Sequence, residues 1–172
     1  MFAALHALLA LPVLLSDGPS MRVVVASAVL GGVLAMLAAY DLDQMRLPDA
    51  LTLPLGIAGL AATAWIGVAA VEVHAVAAAV GGVALWLVGY VYQRWRGRRG
   101  LGFGDVKLFA ALSAWIGPAG LASVLLVACL TALAVLLAMR LTGRQLEAST
   151  PIPFGIFLAL GGWTTWVYGP LT

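Results

Sequence analysis

The chain has 172 residues, of which 63% are hydrophobic and only 9% charged, with a formal net charge of +2. Its mean hydropathy is +1.07. Soluble globular proteins carry about 25% charged residues, so this composition excludes soluble enzymes, nucleic-acid binders and disordered chains. It leaves a polytopic helical membrane protein, and no nucleic-acid partner is expected. An outer-membrane barrel is disfavoured, because the apolar residues run continuously instead of alternating. The single cysteine, Cys129, lies in an apolar run and offers neither an intramolecular disulfide nor a Cys-rich zinc site.

A spanning helix needs about 20 mainly apolar residues. In chain order, Phe2–Leu15 is apolar but short, and it reads as a retained helix because no basic region precedes it and no clean small-x-small cleavage site follows. Met21–Tyr40 is a full span, opening after the turn cluster Ser16-Asp17-Gly18-Pro19-Ser20. Leu51–Val71 and His74–Val91 follow as a pair divided by a short turn near Glu72. Val106–Gly117 is short and closed by Pro118, so it must be shielded by protein or begin at the water interface. Gly120–Met139 and Ile152–Tyr168 complete the set. Backbone in lipid satisfies its own hydrogen bonds, so every segment reads as a helix. The expected fold is an all-α integral membrane bundle of six to seven transmembrane helices, one domain over residues 1–172. Small-residue pairs such as Gly31-Gly32 and Gly81-Gly82 read as helix-packing positions.

Eight of the nine Lys and Arg residues fall in three polar loops: Arg46 in the first, Arg94, Arg96, Arg98, Arg99 and Lys107 in the second, and Arg140 and Arg144 in the third. Pairs of spans separate these loops, so all three share one side, which the positive-inside rule makes the cytoplasm. The basic run also suits contact with acidic lipid headgroups.

The chain has only seven acidic residues, and ionisable groups at membrane depth suggest function. Two stretches stand out at the cytoplasmic boundary: Asp41 to Asp49 after Tyr40, and Gly102-Phe103-Gly104-Asp105 ahead of the short helix. Two carboxylates about 3 Å apart share one proton. One can take a proton from water while the other polarises a peptide carbonyl, with no nucleophile or metal. Glycines beside Asp105 let an extended peptide approach. A milder reading stays open, in which Asp49 caps a helix starting near Ala50, Asp105 caps one starting at Val106, Asp43 is solvated and Lys107 is a topology signal. His6 and His74 sit in apolar segments with no companion for a metal or triad, and read as structural.

Three motifs resemble those of type IV prepilin peptidases. Gly102-Phe103-Gly104-Asp105-Val106-Lys107-Leu108 is similar to that family's GxGD-x-K-L signature. Asp41 stands seven residues before Pro48, followed by Asp49 and Leu51-Thr52, as in its first aspartate motif. Ser149-Thr150-Pro151-Ile152-Pro153-Phe154-Gly155 resembles its late T-P-I-P-F-G motif. The motif-bearing part covers about residues 35–170. The resemblance implies an aspartic endopeptidase of the bacterial inner membrane that removes the leader of type IV prepilins or pseudopilins at the cytoplasmic face. It makes Asp41 and Asp105 the catalytic pair. It places Gly102, Gly104, Lys107, Asp43, Pro48, Pro151 and Pro153 as motif or substrate-adjacent positions. Many bacterial members also carry a four-cysteine zinc region ahead of this part and methylate the new N-terminus. With Cys129 alone, the expectation is a peptidase-only form with no zinc, no other cofactor and no metal site. Readings of other classes are a small cation transporter, a catalytically inactive pilus or secretion assembly factor, and a general intramembrane protease.

Overall fold

The computed structural model describes residues 20–67, 70–98, 100–142 and 153–171. The expected helix at Phe2–Leu15 lies outside these, as do Arg99, Arg144 and Pro151. Six α-helices follow one another: α1 (Met21–Gln44), α2 (Asp49–Ile66), α3 (Val71–Arg96), α4 (Phe103–Ile116), α5 (Leu121–Leu141) and α6 (Phe154–Tyr168). A 3-10 turn at Pro118–Gly120 joins α4 to α5. No strand occurs among the described residues, so the all-α expectation holds there. Among the described residues, four segments are long and apolar enough to cross a membrane: α1, α2, α3 and the run Pro118–Leu141; α6 is a shorter apolar helix.

Boundaries differ from the sequence reading where polar residues prolong a helix. α1 runs past Tyr40 to Gln44 and ends when Met45 adopts a left-handed backbone (φ 52°), donating its N–H to the Asp41 carbonyl at 3.0 Å. Asp41 and Asp43 therefore lie in the last turn of a helix, not in a loop. Polar side chains at a span end keep helical hydrogen bonds while reaching toward water, so composition alone marks the end too early. Similarly, α3 begins at Val71 and takes Glu72 into its first turn, the chain having turned at Gly67. At 26 residues α3 is about 39 Å long. That exceeds a hydrocarbon core of about 30 Å.

The short α4 is the centre of the bundle, packed against α2, α3 and α6. Its 14 residues give about 21 Å of helix, too little to span. It is enclosed instead: Val106, Leu108, Phe109, Ala111, Leu112, Ala114 and Trp115 are all buried. Small residues make this enclosure possible. A Cβ at Gly81 of α3 would lie 2.6 Å from Ser113 Oγ, and one at Gly82 would lie 3.1 Å from Ala110 Cβ. The Trp115 indole N–H donates to the Leu55 carbonyl at 2.8 Å, tying α4 to α2 beside Pro54. Trp115 also meets Trp166 of α6 edge-on, with ring centroids 5.5 Å apart. The Trp166 N–H continues the tie to Ser27 Oγ of α1 at 2.9 Å.

Successive helices alternate in direction. One end gathers Arg22, whose guanidinium donates to the Trp65 carbonyl at 2.8 Å, and the C-terminal Leu171, whose N–H donates to Ser123 Oγ at 2.9 Å. His74 is buried at this end. Its Nδ1 lies 3.0 Å from the Ala114 carbonyl and 3.4 Å from Thr63 Oγ1, so it joins α3, α4 and α2. The opposite end holds Arg46, Arg94, Arg96, Arg98 and Arg140 together with both aspartate stretches. The outward faces carry Val29, Val80, Val83, Val88, Leu130 and Leu133, all exposed. That is the surface of a protein solvated by lipid.

Candidate active site

Asp41 and Asp105 are buried at 5% and 9% exposure, at the basic end of the bundle. They line one cavity of about 510 Å³. α1 supplies Asp41 from its last turn, and α4 supplies Asp105 from its first. The loop after α1 contributes Met45, Arg46 and Leu47; the start of α4 contributes Gly102, Phe103 and Gly104; the start of α6 contributes Pro153 and Phe154. Residues 64 apart in sequence thus share one chamber because α1 descends and α4 ascends at the same end of the bundle.

Local helix chemistry orients each carboxylate. Gly102 is the N-cap of α4 and Asp105 is its third residue. Asp105 is therefore not itself the N-cap, as the milder sequence reading had it. Its Oδ2 accepts the Gly102 N–H at 3.3 Å, a donor the helix start would otherwise leave unsatisfied. α4 is not a spanning segment, and burial pushes the Asp105 carboxyl up to about 6; the Asp41 charge adds to the rise and the Gly102 N–H opposes it. Asp41 faces the backbone amides of Gly155 and Ile156 in the first turn of α6. Free N–H groups at a helix start favour a carboxylate. Asp41 Oδ2 is nevertheless buried without a hydrogen-bond partner. A buried acceptor left open is costly unless it serves a purpose, and Asp41 is one of the residues that line the cavity.

The remaining candidates divide. Gly102, Gly104 and Pro153 line the cavity with the two aspartates. Asp43 is exposed and is not part of the lining. Pro48 is the N-cap of α2, with Asp49 as the first helical residue. Asp49 makes no side-chain cap, contrary to the sequence reading, because the helix starts one residue earlier. It instead pairs with Lys107 Nζ at 2.6 Å, clamping the start of α2 to α4. Lys107 also stands 4.8 Å from the centre of the Phe103 ring, so it braces the wall of the cavity from outside. Among the described residues, no group of three or more His, Cys, Asp or Glu side chains is placed to hold a metal ion.

Sequence reasoning gave no site role to Met45, Arg46, Leu47, Phe103, Phe154 or Gly155. Leu47 carried a usable signal as a lone apolar residue between Arg46 and Pro48 in a polar stretch. The others carried none beyond membership of a motif.

A model of the Type IV leader peptidase family matches residues 4–137. The chain belongs to that family. Among curated relatives, the prepilin leader peptidase/N-methyltransferase of Burkholderia pseudomallei is 40% identical over 152 residues, covering 88% of this chain and 48% of the relative. The protein of the same description from Xanthomonas campestris is 38% identical over 141 residues, covering 82% and 49%. That from Aeromonas hydrophila is 37% identical over 165 residues, covering 96% and 56%. The chain spans about half the length of the curated relatives it matches. No solved structure matches it.

Proposed function

We propose that this protein is an aspartic endopeptidase that removes the leader of prepilin-like or pseudopilin precursors, with Asp41 and Asp105 as the catalytic pair. The observation that carries this reading is the placement of both buried carboxylates on one cavity of about 510 Å³ at the basic end of the bundle. Family membership and the descriptions of the relatives supply the substrate class. By the positive-inside rule the basic end faces the cytoplasm of a bacterial inner membrane, and acidic lipid headgroups contact its arginines.

The chemistry follows from two carboxyls sharing one proton. A water sits between them. The ionised carboxylate takes a proton from that water as its oxygen bonds to the scissile carbonyl carbon. The protonated partner gives its proton to the carbonyl oxygen, forming a neutral gem-diol. The nitrogen then takes a proton from the dyad, the C–N bond breaks, and one gem-diol hydroxyl returns its proton to the dyad as the carbonyl reforms. A carboxyl end and a free amine leave, and the pair again holds one proton. Gly102 and Gly104 line the cavity beside Asp105, and their missing side chains admit Asp105 Oδ2 and Leu47 at close range. Phe103 and Phe154 offer apolar walls.

The test is cleavage of a leader-bearing precursor in membranes containing each variant at equal abundance. Asp41→Asn and Asp105→Asn each abolish processing while the protein still inserts. Asp43→Asn keeps substantial activity, because that side chain is exposed and off the cavity. Full cleavage by either of the first two variants overturns the dyad. Complete loss in Asp43→Asn reassigns its first member.

A further inference from the structure

The end of α1 and the link that follows are exposed from Leu42 to Arg46, as are the first α2 residues Asp49 and Ala50. Leu47 is the exception, at 9% exposure, and belongs to the buried core. The backbone turns it inward. Met45 ends α1 in the left-handed region, and Pro48 starts α2 from an extended conformation; of the two residues between them, Arg46 stays exposed and Leu47 is turned under the bundle. Two glycines from two other helices receive the side chain. A Cβ at Gly104 would lie 3.0 Å from Leu47 Cβ, and a Cβ at Gly155 would lie 2.9 Å from Leu47 Cδ1. Gly104 is the residue immediately before Asp105. Gly155 presents its amide to Asp41, and its own Cβ position lies 2.8 Å from Asp41 Oδ2. One isobutyl group therefore bears on the backbone next to both carboxylates.

We infer that Leu47 is a positioning residue, a wedge whose volume keeps the start of α4 and the start of α6 apart and thereby sets the spacing of Asp41 and Asp105 across the cavity. The inference rests on the reading of those two residues as the catalytic pair. Close-packed interiors transmit the loss of a few methyl groups. Removing the wedge lets the two helix starts approach, which moves Asp105 on α4 and the α6 amides that hold Asp41. Leu47 touches no reacting atom in this account; it acts through Gly104 and Gly155.

The experiment measures kcat, KM and the pH profile for cleavage of a leader-bearing precursor by the full chain in liposomes, alongside its thermal unfolding. Leu47→Ala lowers kcat by about 10- to 100-fold, the scale of an ångström-sized misplacement. KM moves less than about threefold and the alkaline limb of the profile shifts, because the proton shared by the pair depends on its spacing. Leu47→Met, which conserves volume, recovers kcat to within about threefold of the parent. If Leu47→Ala does not fold, Leu47→Val takes its place and lies between the parent and background. A folded Leu47→Ala with parental kcat and pH profile overturns the inference, as does a folded Leu47→Met no better than Leu47→Ala. Asp41→Asn and Asp105→Asn run in the same assay. If they are inactive and Leu47→Ala is indifferent, only the wedge falls; if they cleave normally, the catalytic pair itself falls.

Discussion

Gly155→Ala probes the site with a single methyl group. The added Cβ would lie 2.8 Å from Asp41 Oδ2, 3.1 Å from Asp41 Cγ and 2.9 Å from Leu47 Cδ1. Comfortable heavy-atom contacts lie at about 3.5–4.0 Å, so something must move by roughly 0.6–1 Å. The options are the Asp41 carboxylate, the Leu47 side chain or the start of α6, and each of them disturbs the geometry of the pair. A misplacement of about 1 Å costs on the order of 100-fold in rate, which is about 2.7 kcal/mol of activation free energy. The expected result is a kcat for precursor cleavage lowered by about 30- to 300-fold, with protein abundance and unfolding temperature little changed. Gly32→Ala in α1 is the matched control. A Cβ there meets nothing within 4 Å, so the same chemical change leaves cleavage at the parental rate. A Gly155→Ala enzyme within about threefold of the parent refutes the close approach of α6 to Asp41 as a requirement of catalysis. Equal loss in Gly32→Ala attributes the effect to helix packing in general.

Two further outcomes are expected. With Asp105 pushed up to about 6 by burial and by Asp41, the shared proton is lost as pH rises through that range, so kcat/KM, which reports the free enzyme, falls on the alkaline side with a midpoint of about 6, and the kcat midpoint lies higher because bound substrate excludes more water. A profile whose only inflection lies near the ordinary 3.8 refutes the buried, coupled arrangement. His74→Leu removes the contacts to the Ala114 carbonyl and Thr63 hydroxyl, lowering stability by about 1–3 kcal/mol through the acceptor left unpaired. The folded fraction retains its kcat, since His74 lies at the other end of the bundle from the aspartates. Loss of kcat without loss of stability in that variant refutes the structural role.

Much of the architecture was legible because membrane folding leaves strong local marks. Long apolar runs announced α1, α2, α3 and α5, and the arginines flanking them marked one end. Helix ends were less legible. The first full span read as ending at Tyr40, yet α1 carries Asp41 and Asp43 in its last turn, because a polar residue at a span end can stay helical. The role given to Asp49 failed for a different reason. Its partner Lys107 lies 58 positions away, and no local pattern links the two.

The composition and spacing of this chain determine a helical membrane protein, the end of the bundle where Asp41 and Asp105 lie, and the motifs that mark its family. All of these depend on short stretches of sequence and on the cost of polar groups in lipid. Tertiary structure alone decided that the short α4 is enclosed by its neighbours, that Asp41 and Asp105 share a cavity with an unsatisfied oxygen between α1 and α6, and that Leu47 fits against Gly104 and Gly155. Those features arise from close approach of distant segments, where the missing side chain of a glycine on one helix matters only through what another helix brings to it.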